Sequence, residues 1–446
     1  MNIVLTEFRC MSSRSESEMK ISVFHADITP PLGHPLCAGW YPPVTSVDDP
    51  LLALGVVLFP DGDLPIVLCA LDWAELSNGE YNVWKNALAE AASTKADRVT
   101  IHCIHAHDTP WPDYEAQRIL DLHGYPGVIM DYLWCQQAIS RVAQSVGACH
   151  AKAVPVTEIR SGKALVHEVA SNRRVMGPDG KVKGVRWTAC PDAELRAAPE
   201  GVIDPYLKTI SFWNEEQKIV AMHYYAVHPT SYDGTGRATP DFVGLARNRR
   251  TKEEGVPHIY FTECAGNLTC GKYNDGVADN RELFTSRIHA SMVASEGSFT
   301  HHTPAGVQWK TEAVILPPRD DQPENALRDE IKNPESSTKA KSRAALILAY
   351  RKRCEEGVPI EISALHLGPD IISVHTPGEA FIEFQLHAQS LRPDALVVCP
   401  SYGDCGPGYI TLERSFAEGG YEPRDAFCSG ASEAILREAI AAVVRS

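Results

Sequence analysis

Ile104-His105-Ala106-His107-Asp108-Thr109-Pro110 follows a short β-run over residues 98–102, in which Val99, Thr100 and Ile101 stand in succession. In an extended strand side chains alternate sides, so His105 and His107 project to one face. Two imidazoles two residues apart can share a metal, or one can hold a metal while the other moves protons. A pair of buried, hydrogen-bonded histidines is the plainer alternative. The Asp-Thr-Pro that follows ends the strand, because proline cannot donate to a ladder. A strand end that opens into a loop is where α/β enzymes tend to place their chemistry.

Outward from this stretch, strand-like and helix-like segments alternate. Residues 55–59 (GVVLF) and 65–71 (PIVLCAL) read as buried strands, 80–92 as a helix, and 132–146 as a helix with apolar residues at helical spacing. The alternation predicts an α/β architecture, with mixed β-sheets flanked by helices. Further strands are expected over 209–213, 219–225, 258–262, 361–367 and 371–376. Helices are expected over 282–295, 344–356 and 432–445. From 317 to about 341 the composition turns polar and reads as an inserted surface loop. With no internal repeat and no clear linker, residues 21–446 are expected to form one domain that carries this insertion.

The chain has 446 residues, 44% of them hydrophobic and 22% charged, which is ordinary for a soluble globular enzyme. A net charge of −15 leaves no basic stripe to displace counterions from phosphates, which argues against a nucleic-acid partner. It also disfavours docking on anionic membranes. No apolar run reaches the length of a membrane span. The start, MNIVLTEFRCMSSRSESEMK, lacks the apolar stretch of a secretory signal, and residues 1–20 are expected to be a disordered leader. Thirteen cysteines without pairing rhythm do not make a disulfide framework, and the absence of CxxC argues against a zinc ribbon. A cytoplasmic location is the expectation. No GxGxxG follows a strand, so a nicotinamide or flavin enzyme is not supported.

Other segments share the strand-end grammar of His105. His228 stands in Tyr224-Tyr225-Ala226-Val227-His228-Pro229-Thr230-Ser231, and Glu379 in His375-Thr376-Pro377-Gly378-Glu379. Tyr409 closes the glycine-rich Gly403-Asp404-Cys405-Gly406-Pro407-Gly408, which leads on to Tyr421. Singly, each also reads as a hydrogen-bonded strand terminus, a surface turn or a packed ring. Asp72 and Asp241 are candidates for orienting imidazole ligands, and Asp241 could equally cap a helix that starts near Phe242.

Taken in order, these segments resemble the neutral ceramidase family, zinc-dependent amidases that cleave the N-acyl bond of ceramide. Ala26-Asp27-Ile28-Thr29 looks like the family's opening ADITG-type strand, and Leu71-Asp72 resembles its second strand. His105-Ala106-His107-Asp108-Thr109-Pro110 is similar to THTHSGP, Ser171-Asn172-Arg173 to INRSP, and Ala226-Val227-His228-Pro229-Thr230-Ser231 to AVHPTS. Thr376-Pro377-Gly378-Glu379 looks like the PGE of PGEFT. Gly408-Tyr409-Ile410-Thr411 resembles YVTT, and Tyr421-Glu422 falls where the family has its QYEG tyrosine. The resemblance implies a zinc ion held by His105, His228, Glu379 and Tyr409. It implies that a zinc-bound water attacks the amide, that His107 takes and returns the proton, and that Arg173 and Tyr421 stabilise the developing oxyanion.

Three departures stand out. Gly266-Asn267-Leu268-Thr269-Cys270-Gly271 replaces GDVSPN, so Thr269 occupies the place of the active-site serine. The family's C-terminal immunoglobulin-like domain is expected to have no counterpart. Trp111-Pro112-Asp113-Tyr114 replaces a glycine-rich continuation beside the expected substrate pocket, which points to a different substrate. The expectation is a zinc-dependent amidohydrolase of lipid-metabolism type, acting on a small-molecule N-acyl compound, lipid or more soluble than ceramide. The alternatives are a metallohydrolase acting on an ester, phosphoester or sugar derivative, and a non-catalytic binding homologue. Oligomeric state stays open.

Overall fold

Three antiparallel hairpins, each extended by a parallel strand, set the architecture of the computed structural model, which describes residues 19–297 and 299–445. In the first unit, strand Leu52–Pro60 pairs with Ile66–Leu71, the chain crosses over through helix Asn78–Ala91, and Val99–Cys103 returns parallel to Ile66–Leu71. In the second, Tyr206–Asn214 pairs with Gln217–Tyr225, helix Asp241–Glu254 crosses over, and His258–Thr262 returns parallel. In the third, the same order runs through Ile360–Leu367, Ile371–His375, helix Ile382–Leu391 and Leu396–Val398. A parallel return cannot be made by a tight turn, which is why each unit needs its helix. Met19–Asp27 and Val154–Pro155 extend the first sheet, Glu158–Leu165 and Thr300–His302 the second, and Val307–Val314 the third.

The fold class is therefore mixed α/β, as the alternation predicts. The sequence carries no residue repeat, yet the backbone repeats its topology three times. Different residues satisfy the same burial pattern in each unit, so self-similarity of sequence is not required. Strand Ile66–Leu71 is buried at every position, as a strand covered on both faces must be. Ile66 and Leu68 of the first sheet, Met222 and Phe261 of the second, and Leu365 and Val398 of the third share one apolar cluster. Each such side chain contributes about 1.5–3 kcal/mol relative to exposure.

The three parallel strands Val99–Cys103, His258–Thr262 and Leu396–Val398 each form one edge of their sheets. Beyond their ends the chains bond to one another. Cys103 N donates to Tyr402 O at 2.9 Å, Ser401 N to Thr262 O at 2.9 Å, and Thr262 Oγ1 to Ile104 O at 2.6 Å. Groups that would otherwise invite foreign strands are satisfied internally.

The structure adds elements the sequence did not announce, among them strands Glu158–Leu165 and Val307–Val314 and helix Ile382–Leu391, and two helices show why. The polar stretch 317–341 is not all loop: Glu324–Lys332 is a helix that buries Leu327 and Ile331. Two apolar residues four apart are too weak a periodic signal to stand out in so polar a segment. Helix Tyr114–Asp121 was also not expected; the Asp113 side chain caps it by accepting from Ala116 N. Of the leader expected over 1–20, residues 1–18 lie outside the described residues, whereas Met19 and Lys20 belong to the first strand, which corrects its end. The described cysteines are all free thiols, and no described helix is long and apolar enough to cross a membrane.

Candidate active site

The loops that follow three of these strands carry the chemistry to one place. His105 lies just beyond Val99–Cys103, His228 beyond Gln217–Tyr225, and Glu379 beyond Ile371–His375. Each unit thus supplies one side chain. The expectation that His105 and His107 share a face through strand alternation is corrected here. The strand has already ended, and His105 has a left-handed φ of 68°, which turns its ring inward.

Hydrogen bonds fix how these rings present their nitrogens. His105 Nδ1 lies 3.0 Å from Ala74 O, and His228 Nδ1 lies 2.9 Å from Ala265 O. A carbonyl can only accept, so each Nδ1 is the donor and each Nε2 keeps its lone pair. Those two Nε2 atoms are 3.0 Å apart, and Glu379 Oε2 lies 3.3 Å from one and 3.2 Å from the other. Glu379 Oε2 is buried and meets no hydrogen-bond donor. Three acceptors facing one another repel unless a cation sits among them. Ligand atoms at zinc distances of ~2.0–2.2 Å in a tetrahedron lie about 3.3 Å apart, so the spacing fits such an ion.

Electrostatics agree with neutral imidazoles. Burial lowers the pKa of His228 to about 3, helped by the nearby His105 and Arg173. Burial likewise lowers that of His105. Burial works against the charge of Glu379, and neutral imidazoles whose lone pairs face it do not offset that cost, so the carboxylate too calls for a cation. Burial, then the charge of Glu379, push the pKa of Glu75 well above the carboxylate range. Glu75 comes within 4.8 Å of His105 and Glu379, and sequence reading missed it.

Backbone close approach holds Glu379 against Tyr409. The two are paired residues of the short parallel strands Glu379–Ala380 and Tyr409–Ile410. Gly378 has φ +57°, and a β-carbon there would meet Gly408 O at 2.6 Å. A β-carbon on Gly266 would meet Glu379 O at 2.2 Å. The Tyr409 phenol is buried, which raises its pKa, with the guanidinium of Arg173 opposing that shift.

The remaining expected residues surround this cluster. His107 Nε2 is 3.2 Å from His105 Nε2, and its Nδ1 lies 3.2 Å from Tyr41 OH and 3.5 Å from Asp233 Oδ2. Tyr41 OH also donates to Asp233. Arg173 is pinned by Glu422, with Nε to Oε1 at 2.9 Å, and by a bond from Nη2 to Gly266 O. Its guanidinium lies 5.0 Å from the Tyr409 ring centroid and 5.4 Å from that of Tyr421. Thr269 directs its hydroxyl to Trp187 O at 3.4 Å. One cavity of about 340 Å³ is lined by His105, His107, Arg173, His228, Thr269, Glu379, Tyr409 and Tyr421 together.

Asp72 and Asp241 do not orient the imidazoles. Asp72 holds Arg247 through two bonds of 2.7 and 2.9 Å, and Asp241 accepts from Ser231 and from Phe242 N. Main-chain carbonyls of Ala74 and Ala265 do that work instead, and a carbonyl leaves no trace in residue identity. Other cavity residues missed in the sequence are Tyr41, Asp233 and Trp187, and Tyr402 stacks on His105 at 4.2 Å. Trp111 does line the cavity, as expected, whereas Tyr114 begins the helix behind it.

Among solved structures, the chain is similar to the crystal structure of neutral ceramidase from Pseudomonas aeruginosa. The TM-score is 0.70 at 14% identity, over 96% of this chain and 75% of that one. A structure of ceramidase complexed with C2 matches with the same values. The shared property at this identity is the fold. No family model and no curated protein sequence matches the chain.

Proposed function

We propose that the chain is a zinc-dependent amidohydrolase that cleaves an N-acyl bond. The observation that carries this reading is the convergence of His105 Nε2, His228 Nε2 and Glu379 Oε2 within 3.0–3.3 Å, all three as acceptors. These residues would hold the ion, with Tyr409 beside Glu379 as the fourth donor. A zinc ion bound there supplies a Lewis acid that polarises a carbonyl and acidifies water. The neutral-ceramidase fold supports an amide as the substrate in preference to an ester or phosphoester.

Hydrolysis adds water across the C–N bond: the acyl carbon gains oxygen, and the departing nitrogen gains a proton. His107 suits the proton transfer. Tyr41 and Asp233 engage its Nδ1, which leaves the lone pair on Nε2, 3.2 Å from His105 Nε2 at the cavity wall, to accept a proton and return it. Arg173 is held rigid by Glu422, so it presents fixed positive charge to a carbonyl oxygen as negative charge develops there. Tyr421 lines the same wall and can donate its phenolic proton to that oxygen. Thr269, with its hydroxyl turned to a carbonyl, bounds the cavity and is assigned no proton transfer.

The test is metal analysis with turnover. Purified protein is expected to carry about one zinc per chain and to release acid and amine from short N-acyl amides. His228→Ala should lose both properties. A His228→Ala protein that still hydrolyses the amide without bound metal would refute the proposal.

A further inference from the structure

We propose that the amide taken by this site carries a carboxylate, recognised by Lys339 at the cavity wall; this rests on the amidohydrolase reading and narrows it. Lys339 comes from the polar stretch 317–341 that the sequence singles out and the reaction itself does not use. It lines the cavity that holds His105 and Glu379. Its Nζ lies 4.4 Å from the centroid of the Trp40 ring, and that ring lies 5.3 Å from Trp111. Lys339 is exposed, so its N–H groups stay available while the aromatic face positions the ammonium.

Nearby cations have partners, and Lys339 differs from them. Arg173 is bound to Glu422, and Arg343 to Asp425 at 2.9 Å. Arg424 lines the cavity but lies 3.6 Å from the same Asp425. Among the described residues, no carboxylate lies within ion-pair distance of Lys339. The residue also sits in the first turn of helix Thr338–Glu355, which has no acidic residue there. Helix dipoles favour negative charge at that end, and Asp233, the cavity carboxylate that feels the Lys339 charge, is itself engaged by Tyr41 and His107.

Cavity size sets the rest of the substrate. About 340 Å³ is near the small end of ligand sites. A short acyl chain, the amide and a nearby carboxylate fill that space.

The experiment compares N-butanoylglycine and the monopropylamide of glutaric acid with neutral N-butanoylethanolamine. Both kcat/KM and calorimetric binding are measured on the zinc-loaded wild type, Lys339→Gln and Lys339→Arg. The wild type is expected to favour at least one acid over the neutral amide about tenfold, through KM. Lys339→Gln should shrink that ratio about fivefold, Lys339→Arg should retain most of it, and 0.5 M salt should weaken it. A ratio unchanged in Lys339→Gln, or a wild type that prefers the neutral amide, would overturn the proposal. Binding separates the two readings. Lys339-dependent binding of an acid without cleavage would sink the amidohydrolase and spare the carboxylate. Cleavage without acid preference would do the reverse.

Discussion

Left-handed backbone at His105 is strained for a residue with a β-carbon, by about 1–3 kcal/mol, and the same residue points a lone pair at another acceptor. In metal-free protein both penalties stand uncompensated. His105→Gly relieves the backbone and the facing nitrogens, so by calorimetry its metal-free form should melt above metal-free His105→Ala, by the equivalent of about 1 kcal/mol. Neither should bind zinc. His107 shares the loop but differs in partners, and removing it should separate two roles. His107→Ala is expected to keep its zinc by mass spectrometry while kcat falls about 10²–10⁴-fold. Loss of zinc in that variant would make His107 a ligand. At this scale the sequence exposed the residues whose neighbours are distinctive, namely a histidine before Pro229 and a glutamate after Pro377-Gly378. It hid Glu75 and the grip of Glu422 on Arg173, because a glutamate acquires such a role only from what folding brings against it.

The short pairing of Glu379–Ala380 with Tyr409–Ile410 is the element that joins a carboxylate to a phenol, and glycines make it possible. Gly378→Ala forces a β-carbon against Gly408 O on backbone that disfavours it. Urea unfolding should show a loss of about 1–3 kcal/mol, and competition with a chelator should show weaker zinc retention. An unchanged zinc affinity with lowered stability would mean that Tyr409 is no part of the centre. Strands and helices with strong periodicity were legible in the sequence, including 65–71, 132–146 and 432–445. Helices Glu324–Lys332 and Tyr114–Asp121 were not, being short, polar on most faces and fixed by tertiary contacts. The strand-end position of His105 was readable, but its ring direction was not, since a single left-handed residue overrides strand alternation.

Across the whole molecule, three topologically equivalent units meet at their edge strands, and His105, His228 and Glu379 come one from each. Buried neutral imidazoles also lie where the units join. His102 Nε2 lies 2.9 Å from His375 Nδ1, and burial lowers the His102 pKa from 6.5 to about 4, against the Ser401 carbonyl that supports its charge. Below pH 6.5 the unfolded chain binds a proton that the native state refuses. Stability should therefore fall as pH drops from about 6.5 towards 4, by about 3 kcal/mol for this group alone. Urea midpoints at pH 7 and pH 4.5 measure the drop, and His102→Gln should flatten it. A pH-independent midpoint would show that these rings are not held neutral. The threefold topology itself was not visible in the sequence, because burial patterns recur there while residues do not. Its origin has a consequence for biosynthesis: His105, His228 and Glu379 leave the ribosome in that order, with Tyr409 after them all. If the site holds the proposed ion, its full set of ligands exists only once Glu379 and then Tyr409 have emerged, so the ion would be enclosed late in synthesis.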